Sequence, residues 1–430
     1  MNSVASAMNN GKIPASDRAR LRELARRHRE LAYSPHMEAL LKQHWALNND
    51  IDGTYPVIRI ETDGIAHELA GDGMLTCASA FARNVERRLL YHIRHYELTG
   101  DDRLIPKTYQ MEWFIDIDPY GFPIEKQTAE SRDGKRIGYR INHAIKSLRR
   151  DFDKLKPLTA CVDRPKTIEY SDTVNALIGD IIPVEMVGWP KGVTFLTRAL
   201  LDLMSLEDFY VAAIDEPDEI RRLMEYLLQN AFILMDFYMD ERVMYVNNGA
   251  VDLGNSSYPF TDRLPSAAFN GIPATTDMFL RTDSQETLSM SPDMLGELIF
   301  PYYRRLCERG GLWYYGCCEP VHPVWGAYIS RIPNIKKASV SKWCDEAIMG
   351  PALTKSGVVY SRKLDALFLG GGPGLDAEGL AAYVRATMRH AGGCQIEFIS
   401  REIASLYGNT AKLRQATDIM RTEISRALGA

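Results

Sequence analysis

The strongest constraint on how this chain can fold is a change of texture near Lys107. From there on, short apolar or β-branched runs alternate with longer stretches of helical spacing, the pattern of βα units around a parallel sheet. The runs are Met111 to Ile117, Ile181 to Val187, Val243 to Val246, Thr276 to Leu280, Leu312 to Gly316, Ile335 to Val340, Val358 to Ser361 and Gln395 to Ile399. Eight of them predict an α/β chain closed into a (β/α)8 barrel of the TIM type, with a catalytic face at the carboxyl strand ends. Before Lys107 the pattern reads as helical from Ala15 to about Asp101. Leu21, Leu24, Ala25 and Leu31 recur at near-helical spacing, and Phe81 to Leu98 repeats the habit. The expected organisation is an N-terminal helical extension over 1–105 and a barrel over 106–430.

Punctuation sharpens two of the units. Ser291-Pro292-Asp293 reads as N-cap, N1 proline and first-turn acid of a helix that stops at Gly310-Gly311, with a kink expected at Pro301. Asp376 caps a second helix that closes at Gly392-Gly393. Gly370-Gly371-Gly372-Pro373-Gly374 has no Walker lysine and reads as a turn, and Gln127 to Arg136 reads as a charged surface loop.

Charge and hydropathy exclude several partners. The 51 Lys plus Arg against 56 Asp plus Glu leave a net charge of −5, with no footprint for nucleic acid. The most apolar helical stretch, Leu227 to Met239, is interrupted by Asp236, so no membrane span is expected. Met1 to Asp17 is polar and lacks the apolar core of a signal peptide, which gives the expectation of a cytoplasmic address. That compartment argues against disulfides. The seven cysteines then read as buried thiols plus ligands or nucleophiles, with Cys77, Cys161, Cys307 and Cys344 as core or subsurface thiols.

The richest stretch for chemistry is Tyr314-Tyr315-Gly316-Cys317-Cys318-Glu319-Pro320-Val321-His322. A strand ends there in two thiols, a carboxylate and an imidazole, all ligands for a zinc-like ion, at the barrel end where active sites form. A third ligand must come from elsewhere. Cys394 begins its strand and belongs at the opposite end, whereas Arg401 and Glu402 follow that strand at the right end, so Glu402 is the preferred carboxylate and Cys394 the alternative. The loop Asp283-Ser284-Gln285-Glu286 opens onto the same face, with polar side chains to grip substrate or relay a proton. Asn247, Asn248, Asp252, Asn255 and Tyr258 form a further polar segment, with Asp252 and Tyr258 as candidate substrate contacts. His92 and His95, three apart on an Arg-rich helix, read as a solvated or interdomain face.

Ser291-Pro292 with Phe300-Pro301-Tyr302-Tyr303, Tyr315-Gly316-Cys317-Cys318-Glu319-Pro320, Arg331-Ile332-Pro333-Asn334, Ser339-Val340-Ser341-Lys342-Trp343 and Gly393-Cys394-Gln395-Ile396-Glu397 together resemble the uroporphyrinogen decarboxylase superfamily. The likeness is to its branch of corrinoid-linked methyltransferases. It implies a distorted (β/α)8 barrel and a zinc ion held by a His-x-Cys pair and a distant Cys, which activates a thiol as a Lewis acid. This chain departs from that pattern. Tyr315 stands at the His position if Cys317 is the family cysteine, so Cys318, Glu319, His322 or Glu402 completes the ligands or the metal is absent. The arginine-rich signature that grips tetrapyrrole propionates is missing, which disfavours porphyrin decarboxylation. None of the nine histidines has Asp two residues before it, so the chain lacks the Asp-x-His motif of corrinoid modules and would meet its corrinoid on a separate protein.

The resulting expectation is a methyltransferase component moving a methyl group between a small methylated substrate, or a thiol acceptor, and a corrinoid protein. Cys317, Cys318 and Glu402 would hold zinc, while Asp283, Gln285, Asp252 and Tyr258 contact substrate. The alternatives are a metal-independent decarboxylase or lyase using Glu286 or Glu319 as acid/base, and a non-catalytic partner of a corrinoid protein. A homodimer is in keeping with the resemblance.

Overall fold

The computed structural model describes residues 13–130, 136–190, 194–354 and 356–429. The polar segment read for a leader falls largely in residues 1–12, outside the described part. Among the described residues twelve strands form: β1 (Val57–Ile60), β2 (Tyr109–Met111), β3 (Ile115–Asp118), β4 (Lys126–Glu130), β5 (Arg136–Ile141), β6 (Thr159–Val162), β7 (Val184–Met186), β8 (Phe279–Thr282), β9 (Leu312–Tyr315), β10 (Ile335–Val340), β11 (Val359–Lys363) and β12 (Ile396–Ser400). Six of them make one all-parallel sheet in the order β1-β12-β11-β10-β9-β8. Of these, β9, β10, β11 and β12 are the expected runs, moved by no more than two residues. Helices cover this sheet, as parallel strands require, with buried faces such as Leu223, Leu227 and Leu234 of the helix Pro217–Asp240.

Between β1 and β8 the ladder is not continuous. β2 and β7 pair parallel to each other in a separate two-stranded unit. Beyond them the segment expected as a strand at Val243 to Val246 belongs to no ladder. Its Tyr245 N–H donates to Gly188 O at 2.9 Å, and the Asn247 amide then brackets Phe279 of β8, donating to its carbonyl at 2.7 Å and accepting from its N–H at 3.0 Å. A side chain here does the work of a ladder rung. At the other edge, Asp102 and Asp101 carboxylates accept from the N–H groups of Ile58 and Ile60 in β1. The architecture is a mixed α/β fold of barrel-like form, and among the described residues the paired strands do not close a ring.

Several expectations need correction. Residues Ala15 to Asp101 are not helical throughout, because β1 lies among the helices Ala15–Ala32, Pro35–Asn48 and Ala80–Thr99 and pairs with β12. Its four residues are all buried, Arg59 included, so they show no alternation to read. The run Met111 to Ile117 is split between β2 and β3, and Thr275–Asp277 is a 3-10 turn ahead of β8. The charged loop at Gln127 to Arg136 is instead the antiparallel hairpin of β4 and β5, with residues 131–135 outside the described part. His95 is no solvated residue. It is buried between Thr62 and Asp101, with ring-nitrogen contacts of 2.8 and 2.9 Å. Cys161 is exposed on β6 rather than packed inside. Among the described residues no helix is long and apolar enough to cross a membrane.

Candidate functional site

The site is built where β8, β9, β11 and β12 end. β9 stops because Gly316 takes φ +97°, a left-handed backbone that turns the chain across the sheet. A Cβ at this glycine would lie 3.1 Å from the Ser339 Cβ, so the turn is also tightly packed. The next residue is held on both sides: its N–H donates to Glu319 Oε2 at 2.9 Å and its carbonyl accepts from Ser339 Oγ at 2.6 Å. The thiols of Cys317 and Cys318 therefore face the same way, with their sulfurs 3.6 Å apart. Cys317 is buried and Cys318 half-buried.

Glu402 arrives from the loop after β12. Its φ of +62° is uncommon for a residue with a side chain, a strained setting of the kind that clusters at functional sites. The strain is local to a useful atom: Glu402 Oε1 accepts from Cys318 Sγ at 3.1 Å. Ligand atoms of Cys317, Cys318 and Glu402 all lie within 4.8 Å of one another. Cys394, the alternative ligand, sits away from this cluster, its sulfur 3.0 Å from Thr354 Oγ1 and 3.5 Å from Gly350 O. His322 is also apart, its Nδ1 accepting from the Asp345 N–H at 3.3 Å.

Arg401 precedes Glu402 and turns inward. Its Nη1 donates to Cys317 Sγ at 3.2 Å and also to Asn255 Oδ1. The two thiols diverge in acidity. The contact with Cys318 and the charges of Arg281 and Arg401 pull the Cys317 thiol down, despite burial. Cys318 is pushed up by that same contact, by burial and by the nearby Glu402. Cys317 is thus the more acidic sulfur and Cys318 the less acidic one.

A carboxyl pair lies beside the thiols. Glu319 accepts from the Ser284 N–H at 3.2 Å as well as from Cys317, and so ties the loop after β8 to the loop after β9. Burial and the Cys317 charge raise it to about 7. Asp283 is also raised to about 7 by burial and by Glu319, which outweigh Arg281 at 2.8 Å. Lys363, the last residue of β11, is lowered to about 7 by burial. Its Nζ meets Ser361 Oγ at 3.2 Å and Asn255 O at 3.4 Å.

The remaining expected contacts divide. Glu286 is buried and accepts from Thr197 Oγ1 at 2.8 Å, with Gln285 half-buried on the same 3-10 turn, Gln285–Thr287. Asp252 and Tyr258 belong instead to the Arg59 side of the sheet. Asp252 Oδ2 is 3.4 Å from Arg59 Nη2, and the Tyr258 ring lies 4.2 Å under that guanidinium with its hydroxyl on the Leu104 backbone. Neither makes a hydrogen bond or ion pair with the cysteines among the described contacts. The glycine-rich segment begins at the end of the helix Leu367–Gly370 and continues as bends over 371–374, where the Leu369 and Gly372 carbonyls accept from buried Lys412.

Arg281, Lys363 and the contacts made by Arg401 are absent from the sequence reading. A strand predicted to end at Ser361 stops short of Lys363, and no motif announces a guanidinium that folds back onto a thiol. Glu397, buried on β12 and 3.1 Å from Lys337, enters the sequence reading only as the end of the Gly393-to-Glu397 stretch, with no role given to it.

No protein-family model matches the chain, and no curated protein matches its sequence. Among solved structures, a methyltransferase from Methanosarcina mazei is similar in chain path, with 14% sequence identity and a TM-score of 0.49. The similarity covers 88% of this chain and 98% of that one.

Proposed function

We propose that the chain is a metal-assisted methyltransferase component that passes a methyl group between a small methylated substrate, or a thiol, and a corrinoid held by a separate protein. The observation that carries this is the donor set: two sulfurs and a carboxylate oxygen within 4.8 Å at the carboxyl end of a parallel sheet. The spacing suits zinc. Ligands at about 2.3 Å around a tetrahedral ion sit about 3.8 Å apart, and the two sulfurs here are 3.6 Å apart. Three protein donors leave one position for a substrate, the arrangement of a catalytic rather than a structural site. The likeness of the motifs to corrinoid-linked methyltransferases supplies the reaction class.

Cys317, Cys318 and Glu402 would hold the ion. When bound, it would lower the pKa of a substrate thiol and present it as a thiolate. The protein's own part is to prepare the donors. The Cys318 contact, with the charges of Arg281 and Arg401, favours ionisation of Cys317, Gly316 and Glu319 fix the direction of both sulfurs, and Glu402 would accept the Cys318 proton across 3.1 Å. Asp283 and Glu286 stand in the loop after β8, on the side from which substrate would enter. The test is demethylation of methylcobalamin by small thiols in the presence of the purified chain and zinc. The reading expects turnover that Cys318→Ser lowers by at least 100-fold, and it is abandoned if no thiol is methylated with zinc loaded.

A second reading has its own support. Asp283 and Glu319 are raised to about 7 and so are part-protonated near neutrality, the state a general acid/base needs. Metal-independent decarboxylation or another lyase reaction would use this pair, and would survive replacement of both cysteines by serine.

A further inference from the structure

The two sulfurs carry a consequence that does not depend on methyl transfer. They sit on consecutive residues, 3.6 Å apart, and among the described residues theirs is the one contact between cysteine sulfurs within hydrogen-bonding range. The peptide between β9 and Cys318 cannot easily swing them apart. Gly316 fixes the turn, the Cys317 N–H is tied to Glu319, and the Cys317 carbonyl is tied to Ser339. Cys318 is reached from solvent and leads to buried Cys317. A carboxylate oxygen lies 3.1 Å from the outer sulfur, on a residue whose left-handed backbone holds it there.

We propose that Cys317 and Cys318 form a chelating dithiol site for trivalent arsenic, as arsenous acid or a mono-organoarsenical, with Glu402 as the base that serves it. The chemistry is a double exchange at an atom with two replaceable hydroxides. Two As–S bonds form and two As–O bonds break; one hydroxide leaves as water with the Cys318 proton, the other leaves as water with the Cys317 proton or, where that sulfur is already ionised, with a proton from solvent, and arsenic stays in the trivalent state. Soft thiolates favour such a soft, three-coordinate centre over hard oxygen-loving ions. Holding both sulfurs ready in one direction removes the ordering cost that makes single thiols poor ligands for it. Glu402 accepts the Cys318 proton along the existing 3.1 Å contact and delivers it to the departing hydroxide.

This inference uses the same sulfurs as the metal reading but stands on their spacing alone. The experiment is titration of the full chain with phenylarsine oxide, followed by desalting and intact-mass measurement, with zinc content read on the same samples. The expected result is one arsenical per chain, removed by 2,3-dimercaptopropanol, and at least 100-fold weaker binding in both Cys317→Ser and Cys318→Ser. Cys344→Ser, which alters a buried thiol elsewhere, should leave the stoichiometry unchanged, and circular dichroism of each variant checks folding. Glu402→Gln should slow capture about tenfold with the final adduct intact. An adduct that persists in either serine variant, or a wild-type chain that takes up none while its thiols still react with a disulfide reagent, overturns the proposal. Arsenical capture without zinc binding would defeat only the methyl-transfer reading, and zinc binding without capture would defeat only this one.

Discussion

At the scale of single residues the site trades backbone comfort for donor position. Glu402 holds φ +62° although it is no glycine, a conformation that costs on the order of 1 kcal/mol or more. The side chain is what the strain supports, so replacing it should reveal the trade. Glu402→Gly is expected to leave the metal-free chain as stable or up to about 1 kcal/mol more stable, the gain being offset in part by the looser unfolded chain. The same variant should lose metal affinity. Thermal unfolding in chelator checks the first half, and a drop of more than 2 °C in Tm would contradict it. The sequence makes the identity of these donors legible and their setting opaque. Adjacent thiols at a strand end and a carboxylate past the next-but-two strand can be placed by counting. The left-handed turn at Glu402 and the inward fold of Arg401 depend on φ values and packing that no local motif carries.

Acidity at this scale gives a second expectation. Asp283 and Glu319 are raised to about 7 by burial, whereas in an unfolded chain they ionise near about 3.9 and 4.3. Between those limits the folded chain binds more protons than the unfolded one. Their contribution therefore stabilises the fold most below pH 4 and is lost as pH rises toward 7. Asp283→Asn stays neutral throughout and should make that decline shallower. Urea midpoints at pH 5 and pH 7.5 measure it, and an unchanged difference between the two would count against a protonated Asp283.

At the scale of elements the informative part is where the ladder fails. Asn247 replaces a strand rung with its own amide, bonded to both the N–H and the carbonyl of buried Phe279. Asn247→Ala strips both partners at once. Leaving buried backbone groups unpaired costs about 1–3 kcal/mol each, so the variant should lose about 2–4 kcal/mol by denaturant unfolding. A loss under 0.5 kcal/mol would mean that water replaces the amide. This device explains the missed strand at 243–246, because apolar runs forecast extension but not which atoms will pair. The helix signals fared better for a physical reason: caps are local. Ser291 Oγ accepts from the Met294 N–H and Asp376 from the Gly379 N–H, and the expected kink at Pro301 appears as a break at Ile299 between the helices Pro292–Leu298 and Phe300–Cys307. β1 escaped because Arg59 interrupts its apolar run and helices flank it on both sides.

At the scale of the molecule, six parallel strands aim their carboxyl ends at one rim, and the loops after β8, β9 and β12 converge there. Charged residues fill the interior of the sheet below it, with Lys337 and Glu397 paired at 3.1 Å and Ser257 Oγ donating to the same carboxylate at 2.9 Å. Such burial earns little net stability, since desolvation offsets attraction. Above this polar floor Arg401 reaches Cys317 Sγ at 3.2 Å, and Lys363 is held by Ser361 and Asn255.

The most direct test of the central claim is elemental analysis of the chain purified without chelator, run beside Cys317→Ser. The account predicts about one zinc per chain and its loss in the variant, with a Tm in the wild type that rises when zinc is restored. Metal-free wild-type protein that gains neither zinc nor thermal stability on titration would contradict it.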